Sequence, residues 1–192
     1  VNDLYLGKPG DDSTCLVLKA TPRCIVNMLA GPPVDKADDA RMVHDFMVSP
    51  GKKVVCGGTS ANIVARVLHR KIETTLNYAD PTLPPTGKIQ GIDLVTEGVL
   101  TLSRTVEILR SYTEHKTDAF YFHRLDEDNG AAKIAKLILE DCTGLKIFAG
   151  RAINPAHQNP GLPSDLSIKM QLLDQLASLV EQLGKPVEKT YY

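Results

Sequence analysis

The sequence lacks the net charge, the long apolar runs and the leader segment that mark several large classes of protein. Its 192 residues carry a formal net charge of -1, and this balance argues against a nucleic-acid binder held by phosphate contacts. No apolar run approaches the roughly 20 residues that a membrane-spanning helix needs. No basic segment followed by an apolar one opens the chain, so we expect no secretion signal and a cytoplasmic location.

Paired cysteines are missing as well. The chain contains Cys15, Cys24, Cys56 and Cys142, and none of them forms a CxxC pair or lies near a histidine at zinc-ligand spacing. The first three lie within or beside apolar, strand-like runs. We therefore expect buried thiols in a reducing compartment rather than disulfides.

Strand-like and helix-like segments alternate along the chain, which predicts an α/β fold with a mostly parallel sheet and helices on both faces. Regular structure is not expected at residues 79–88, where three prolines indicate an exposed loop or lid. The predicted strands are 13–19, 24–30, 54–56, 91–95 and 145–150, with 71–76 as a further candidate. The predicted helices are 36–48, 60–69, a segment ending near 110, 131–140 and 165–183.

Four of the predicted strands end in small or polar residues that include a glycine. In open α/β sheets, ligands bind at the carboxyl ends of the strands. If these strands are parallel and adjacent, their ends converge on one edge of the sheet. The four ends are Gly31-Pro32-Pro33, Gly57-Gly58-Thr59-Ser60, Thr96-Glu97-Gly98 and Gly150-Arg151.

The second of these ends has two glycines between a strand and a helix. A backbone without Cβ atoms can approach a ligand closely, and the start of a helix offers unpaired N–H groups to an anion. Thr59, Ser60 and Asn62 add side-chain hydrogen-bonding groups. The alternative is a tight strand-to-helix turn capped by Thr or Ser.

The third end carries Thr96 and the carboxylate of Glu97. Glu97 could act as a base, accept a ribose hydroxyl or bind a cation. It could equally stabilise the dipole at the start of the following helix.

The fourth end leads into a loop dense in hydrogen-bonding side chains between two prolines, which suggests recognition. The alternative is a rigid loop whose side chains satisfy its own backbone. The residues in question are Arg151, Asn154, His157, Gln158 and Asn159.

An acidic run lies near the start of the chain, in "KPGDDSTCLVLKA". Adjacent carboxylates before a strand can hold a divalent cation or can simply form a turn. The stretch resembles the closing motif of SpoIIE-like serine/threonine protein phosphatases, which are metal-dependent. The resemblance implies that Asp11 would bind a catalytic Mn²⁺ or Mg²⁺ in an intact phosphatase.

Most of the remaining chain resembles the carboxy-terminal extension of one bacterial branch of these phosphatases. The resemblance implies that residues 1–22 end a catalytic domain and that residues 23–192 form an accessory α/β domain. The other metal-binding aspartates of the family have no counterpart here, so we expect no phosphatase activity from this chain. The matching stretches are "LAGPPVD", "VVCGGTSANIVAR", "GKIQGIDLVTEGVLTL" and "GRAINPAHQNPGLPSDLSIK".

Three hypotheses follow for the extension. It could bind a small anionic ligand and regulate the phosphatase domain of its own polypeptide. It could carry out its own chemistry on a phosphorylated metabolite, with Glu97 or His157 as the acid/base group. It could instead be a docking or homodimerisation module that uses the long last helix and the "FYF" stretch at 120–122.

Overall fold

The strands and helices of this protein follow its hydrophobic periodicity closely. The computed structural model describes residues 14, 16–18, 20–74, 86–152 and 165–192, with residues 74 and 165–167 described by their backbone alone. The strands are β1 (Ile25–Ala30), β2 (Lys52–Cys56), β3 (Glu73–Thr74), β4 (Gly87–Lys88), β5 (Leu94–Thr96), β6 (Gly144–Ala149) and β7 (Val187–Tyr191). The helices are α1 (Asp39–Val48), α2 (Gly58–Val67), α3 (Val99–Thr113), α4 (Ala119–Leu125), α5 (Gly130–Lys136) and α6 (Asp165–Gln182).

All seven strands belong to one sheet, in the order β3-β4-β5-β2-β1-β6-β7. The five strands from β5 to β7 in that order are parallel, and β3 and β4 extend the sheet in antiparallel fashion. Numbered along the chain, the parallel strands have the order 3-2-1-4-5, which is that of Rossmann-type doubly wound sheets. The predicted α/β class with a mostly parallel sheet is confirmed.

Helices cover both faces of the sheet, as predicted. Side chains alternate between the faces along β1, so Met28 packs with α3 to α6 and Leu29 packs with α1 and α2. The helix that follows β1 and the helix that follows β6 therefore lie on opposite faces. Between these two neighbouring strands the winding of the sheet reverses, and this reversal opens a crevice at their carboxyl ends.

Helix α1 shows how the sequence pattern becomes packing. A turn of 3₁₀-helix at Lys36–Asp38 precedes it, and the side chain of Asp35 accepts a hydrogen bond from the backbone N of Ala37 at 2.9 Å. The predicted apolar stripe is buried at Met42 and Phe46. Phe46 meets Phe148 of β6 edge to face, with ring centroids 5.7 Å apart, so α1 is fastened to the centre of the sheet.

Three elements were not predicted: α4, β7 and the two-residue strand β4, which lies at the end of the segment 79–88, where no regular structure was expected. Residues 111–130 were interpreted as a polar connection, but α4 forms there because the side chain of Asp118 caps it, accepting a hydrogen bond from the backbone N of Tyr121 at 2.8 Å. Strand β7 pairs in parallel with β6. Its alternating sequence, "VEKTY", was the signal that could have identified it.

The strand predicted at 13–19 does not form in the described residues of that segment. Residues 14 and 16–18 have no regular secondary structure. Leu16, Val17 and Leu18 are 80%, 81% and 87% exposed, and among the described residues no neighbouring strand supplies the hydrogen bonds that a single strand requires. The first strand of the sheet begins at Ile25. The predicted domain boundary at residue 22 stays a prediction.

Helix α6 belongs to the core. It packs against α3 and the sheet through Leu173, Leu176 and Val180, which are at most 1% exposed. Gly184, with a φ of +76°, ends the helical region as predicted. Across the described part of the chain, no helix has the length and apolarity required to cross a membrane.

The described cysteines, Cys24, Cys56 and Cys142, are free thiols. Cys56 and Cys142 are buried, and burial raises the pKa of Cys56 to about 12. Such a thiol is unreactive at neutral pH, because the thiolate is the nucleophile. Cys15 lies outside the described residues.

Candidate functional site

The four glycine-containing strand ends lie side by side on one edge of the sheet. Their strands, β5, β2, β1 and β6, are consecutive neighbours and all parallel, so the predicted convergence is confirmed. We call this edge the carboxyl rim and define it as 31–33, 57–60, 96–98 and 150–151. Its loops are joined directly: the backbone N of Gly57 donates to the Thr96 carbonyl at 2.8 Å, and that of Gly150 to the Ala30 carbonyl at 3.0 Å.

Ser60 connects two of these loops. Its side chain is 1% exposed, and its Oγ accepts a hydrogen bond from the backbone N of Gly31 at 2.8 Å. The hydroxyl predicted to contact a ligand therefore already has a partner within the protein. Its role is to hold the end of β1 against the start of α2.

Replacing Ser60 with alanine leaves the buried N–H of Gly31 without its partner. We expect the free energy of unfolding to fall by about 1–3 kcal/mol. Thr59→Ala is the matched control, because Thr59 is exposed and its loss should change stability by about 0.5 kcal/mol at most. Urea titration measures both variants, and an equal effect of the two would contradict the role given to Ser60.

The start of α2 is not capped by a side chain. The helix begins at Gly58, earlier than predicted, and Gly57 precedes it with a φ of +110°, which favours glycine. Neither Thr59 nor Ser60 is the capping residue, so the Thr or Ser cap of the alternative interpretation is not formed. The first N–H groups of α2 lie at the carboxyl rim, beside Gly58 and Thr59, which are exposed.

Thr96 and Glu97 differ in what they can offer a ligand. Thr96 is 4% exposed, and its hydroxyl donates to the Glu97 carbonyl at 3.0 Å. Glu97 is exposed, and a Cβ on Gly58 would lie 3.7 Å from its Oε1. The carboxylate of Glu97 thus lies next to the start of α2, where it stabilises the helix dipole and repels a second anion.

A lysine side chain lies beside the ends of β1 and β6. The Nζ of Lys169, from α6, would lie 3.1 Å from a Cβ on Gly31. Arg151 is exposed, with its guanidinium 5.6 Å from the centre of the Tyr191 ring. Of these two cations, Lys169 lies beside the ends of β1 and β6, whereas the guanidinium of Arg151 lies over a ring of β7, the strand on the other side of β6. Lys169 was missed by sequence reasoning, which treated α6 only as an apolar stripe.

The other predicted site residues are less informative. Asn62 is exposed, one turn into α2. Asn154, His157 and Asp11 lie outside the described residues, so their predicted roles stay predictions. Within the residues that the structure describes, no group of three or more His, Cys, Asp or Glu side chains could hold a metal ion.

Two cavities lie away from the carboxyl rim. One of about 590 Å³ lies beside Arg70 and Asp93, but the Asp93 carboxylate accepts from Lys52 Nζ and Lys53 N, and Arg70 donates to the Gln90 carbonyl. The other, of about 390 Å³, lies between the end of α1 and strands β6 and β7. The side chains of Arg70 and Asp93 thus already have partners within the protein, which makes the first cavity a weaker candidate than the rim.

Comparisons of this chain with models of protein families, with curated proteins and with solved structures found no match. They assign no family and no activity. Function is therefore inferred from the carboxyl rim and from the residues that form it.

Proposed function

We propose that this chain is an accessory domain that binds a small anionic ligand at the carboxyl rim and thereby regulates a SpoIIE-like phosphatase domain on the same polypeptide. The observation that carries the proposal is the arrangement of four strand ends on one edge, across the point where the winding of the sheet reverses. Ligands of doubly wound sheets bind at that point. The Mn²⁺ or Mg²⁺ implied by the resemblance would belong to the phosphatase domain, with Asp11 as one ligand.

Charge supports an anion rather than a neutral ligand. The uncapped start of α2 supplies N–H donors and a partial positive charge, and the ammonium of Lys169 lies beside Gly31 at the neighbouring strand end. Thr59 and Asn62 are exposed nearby and can supply hydrogen bonds. An anion at the rim would meet hydrogen-bond donors that are already in place, while the Glu97 carboxylate beside the start of α2 opposes its binding.

The proposal is tested by thermal unfolding of the domain with nucleotides, sugar phosphates and carboxylates. A ligand at about 100 times its dissociation constant should raise the melting temperature by roughly 5–10 °C. Gly58→Val should reduce this rise, because the added side chain covers the start of α2. Ala119→Val is the matched control, since Ala119 is also an exposed first residue of a helix. A screen in which no anion stabilises the protein would refute the proposal.

The other two hypotheses have less support. The carboxylate of Glu97 makes no hydrogen bond or ion pair with any described residue, so no second group activates it as an acid or base. Association through α6 is disfavoured because the apolar face of α6 is already buried. The exposed rings of Phe120 and Phe122, 68% and 52% accessible, remain the available surface for docking.

A further inference from the structure

The larger of the two cavities lies at the edge of the sheet opposite the carboxyl rim, beside the amino ends of β2 and β5. Its volume of about 590 Å³ is in the range of pockets that hold small molecules. Ile89, which is 3% exposed, gives it an apolar part, and basic side chains line much of the rest. We call this cavity the amino-edge pocket; its lining residues lie in 69–73 and 88–93.

The amino-edge pocket carries an excess of positive charge. Together with the lysine that pairs with one of its carboxylates, four cations face two anions, which leaves two positive charges uncompensated. An anionic group that enters the pocket is therefore attracted to it. The residues concerned are the cations Arg70, Lys71 and Lys88, the carboxylates of Glu73 and Asp93, and Lys52, whose Nζ lies 3.0 Å from Asp93 Oδ1.

The position of Lys88 shows that this charge is more than the usual basic end of a helix. Basic residues after a helix can simply offset the partial negative charge of its carboxyl end, and this explanation suffices for Arg70 and Lys71, which follow α2. Lys88 comes from β4, another part of the chain. It lies opposite Glu73 in the β3–β4 ladder, yet these two side chains form no ion pair. The ammonium of Lys88 is thus available to a ligand.

The guanidinium of Arg70 is held in place at the pocket. Its Nη1 donates to the carbonyl of Gln90, and a Cβ on Gly91 would lie 2.6 Å from the same atom. Gly91 also has a φ of +81°, so both the backbone and the neighbouring guanidinium require glycine there. Arg70 keeps its other N–H groups for a ligand, and a guanidinium can bind two phosphate oxygens at once. Because it is already fixed, little rotamer freedom is lost on binding.

His69 has a backbone conformation that favours glycine. It follows the last turn of α2 with a φ of +52°, at the position where helices often end in glycine. Its side chain lines the amino-edge pocket, where an imidazole N–H can donate to an anion. His115 has the same conformation after α3, with a φ of +56°, but it lines neither of the two cavities. The conformation alone is therefore no sign of a site, and His115 provides a matched control.

We propose that the amino-edge pocket binds a small phosphate monoester, with its phosphate held by Arg70, Lys71 and Lys88. A phosphate monoester carries nearly two negative charges at neutral pH, which matches the two uncompensated positive charges of the pocket. The rest of the molecule packs against Ile89. This site is independent of the proposed function, because it lies at the opposite edge of the sheet from the carboxyl rim.

Backbone amide NMR signals of the nitrogen-15-labelled protein, followed during titration with inorganic phosphate and with glycerol 3-phosphate, show where each anion binds. The signals of 69–71 and 88–93 should shift and saturate with both. Arg70→Met and Lys88→Met should each raise the dissociation constant about tenfold, because each removes a hydrogen bond to a charged group. Glu73→Gln should lower the dissociation constant, because it removes a like charge from the pocket.

Two control variants separate binding from changes in the fold. Arg104→Met is matched to Arg70→Met, because Arg104 is also a half-exposed arginine with one partner, Glu107, and it should leave both affinities unchanged. His69→Gly and His115→Gly both relieve a left-handed conformation, so both should keep or raise the melting temperature. Only His69→Gly should weaken phosphate binding, by about threefold or more.

Two results would overturn the site. One is that neither phosphate shifts the signals of 69–71 and 88–93. The other is an affinity that Arg70→Met and Lys88→Met both leave unchanged; Lys88 is exposed, so its variant decides the matter if Arg70→Met does not fold. Shifts confined to the carboxyl rim would refute the amino-edge pocket and leave the proposed function standing. Shifts at the amino-edge pocket, with no anion of the thermal screen acting at the rim, would support this site and refute the proposed function.

Discussion

Replacing Gly150 with alanine is expected to lower the free energy of unfolding by at least about 3 kcal/mol. A Cβ on Gly150 would overlap the carbonyl groups of Pro32 and Gly31, which are backbone atoms and cannot rotate away. The reverse approach is also close, because a Cβ on Gly31 would lie 2.7 Å from the Gly150 carbonyl oxygen. The ends of β1 and β6 would have to separate, which would distort the crevice at the centre of the carboxyl rim.

Gly58→Ala is the comparison that isolates this effect. Gly58 is a helical residue without a positive φ, and its Cβ would meet only Glu97, at 3.7 Å. Alanine should therefore leave stability unchanged or raise it by up to about 1 kcal/mol. Guanidinium titration of both variants measures the difference. Equal stabilities would mean that the loops after β1 and β6 do not approach each other as closely as described.

Replacing Phe46 with alanine should cost about 3–5 kcal/mol of unfolding free energy. Its side chain is fully buried between α1 and the sheet. It contacts the ring of Phe148 edge to face, and the Nζ of Lys53 lies 5.5 Å from the centre of its ring. The substitution removes these contacts and opens a cavity beneath Lys53, whose pKa burial already lowers.

Phe120→Ala tests whether the loss of stability expected at Phe46 comes from its burial or simply from removing a phenylalanine. The Phe120 side chain is 68% exposed on α4, so its loss should change stability by about 0.5 kcal/mol at most. The free energy of unfolding of both variants can be measured by urea titration, fitted with a common dependence on urea concentration. A large loss at Phe120, or a small one at Phe46, would contradict the packing of α1 on β6.

The carboxyl rim shows how far sequence reasoning reaches into a site. Close approach of a ligand to the backbone was predicted for Gly57 and Gly58, whereas the tightest approach at the rim is at Gly150, where none was predicted. The group that approaches Gly150 is the backbone near Pro32 rather than a ligand. Likewise Ser60 and Thr96 were predicted to contact a ligand, yet each hydroxyl has a partner inside the protein. A side chain's type indicates what it can bind, but only its neighbours decide what it does bind.

The elements themselves were largely predictable. The nearly continuous apolar run of β1 reflects burial of both its faces, and the 3.6-residue stripe of α1 reflects burial of one face. Such patterns are local properties of the chain. Short elements were harder, because two-residue β4 and seven-residue α4 contain too few residues to show a period. The strand expected at 13–19 had the right composition but no neighbour in the described structure.

The sequence by itself determined the α/β class, the apolar faces of the main helices and the loops that would form the carboxyl rim, because each depends on the order of residue types over a few positions. Only the tertiary structure decided that β1 lies between β2 and β6, that Ser60 bonds to Gly31 across 29 positions of the chain, and that Lys169 and Glu97 lie at opposite ends of the rim. These are contacts between distant segments. They are set by how the layers pack against one another, and no local pattern encodes that packing.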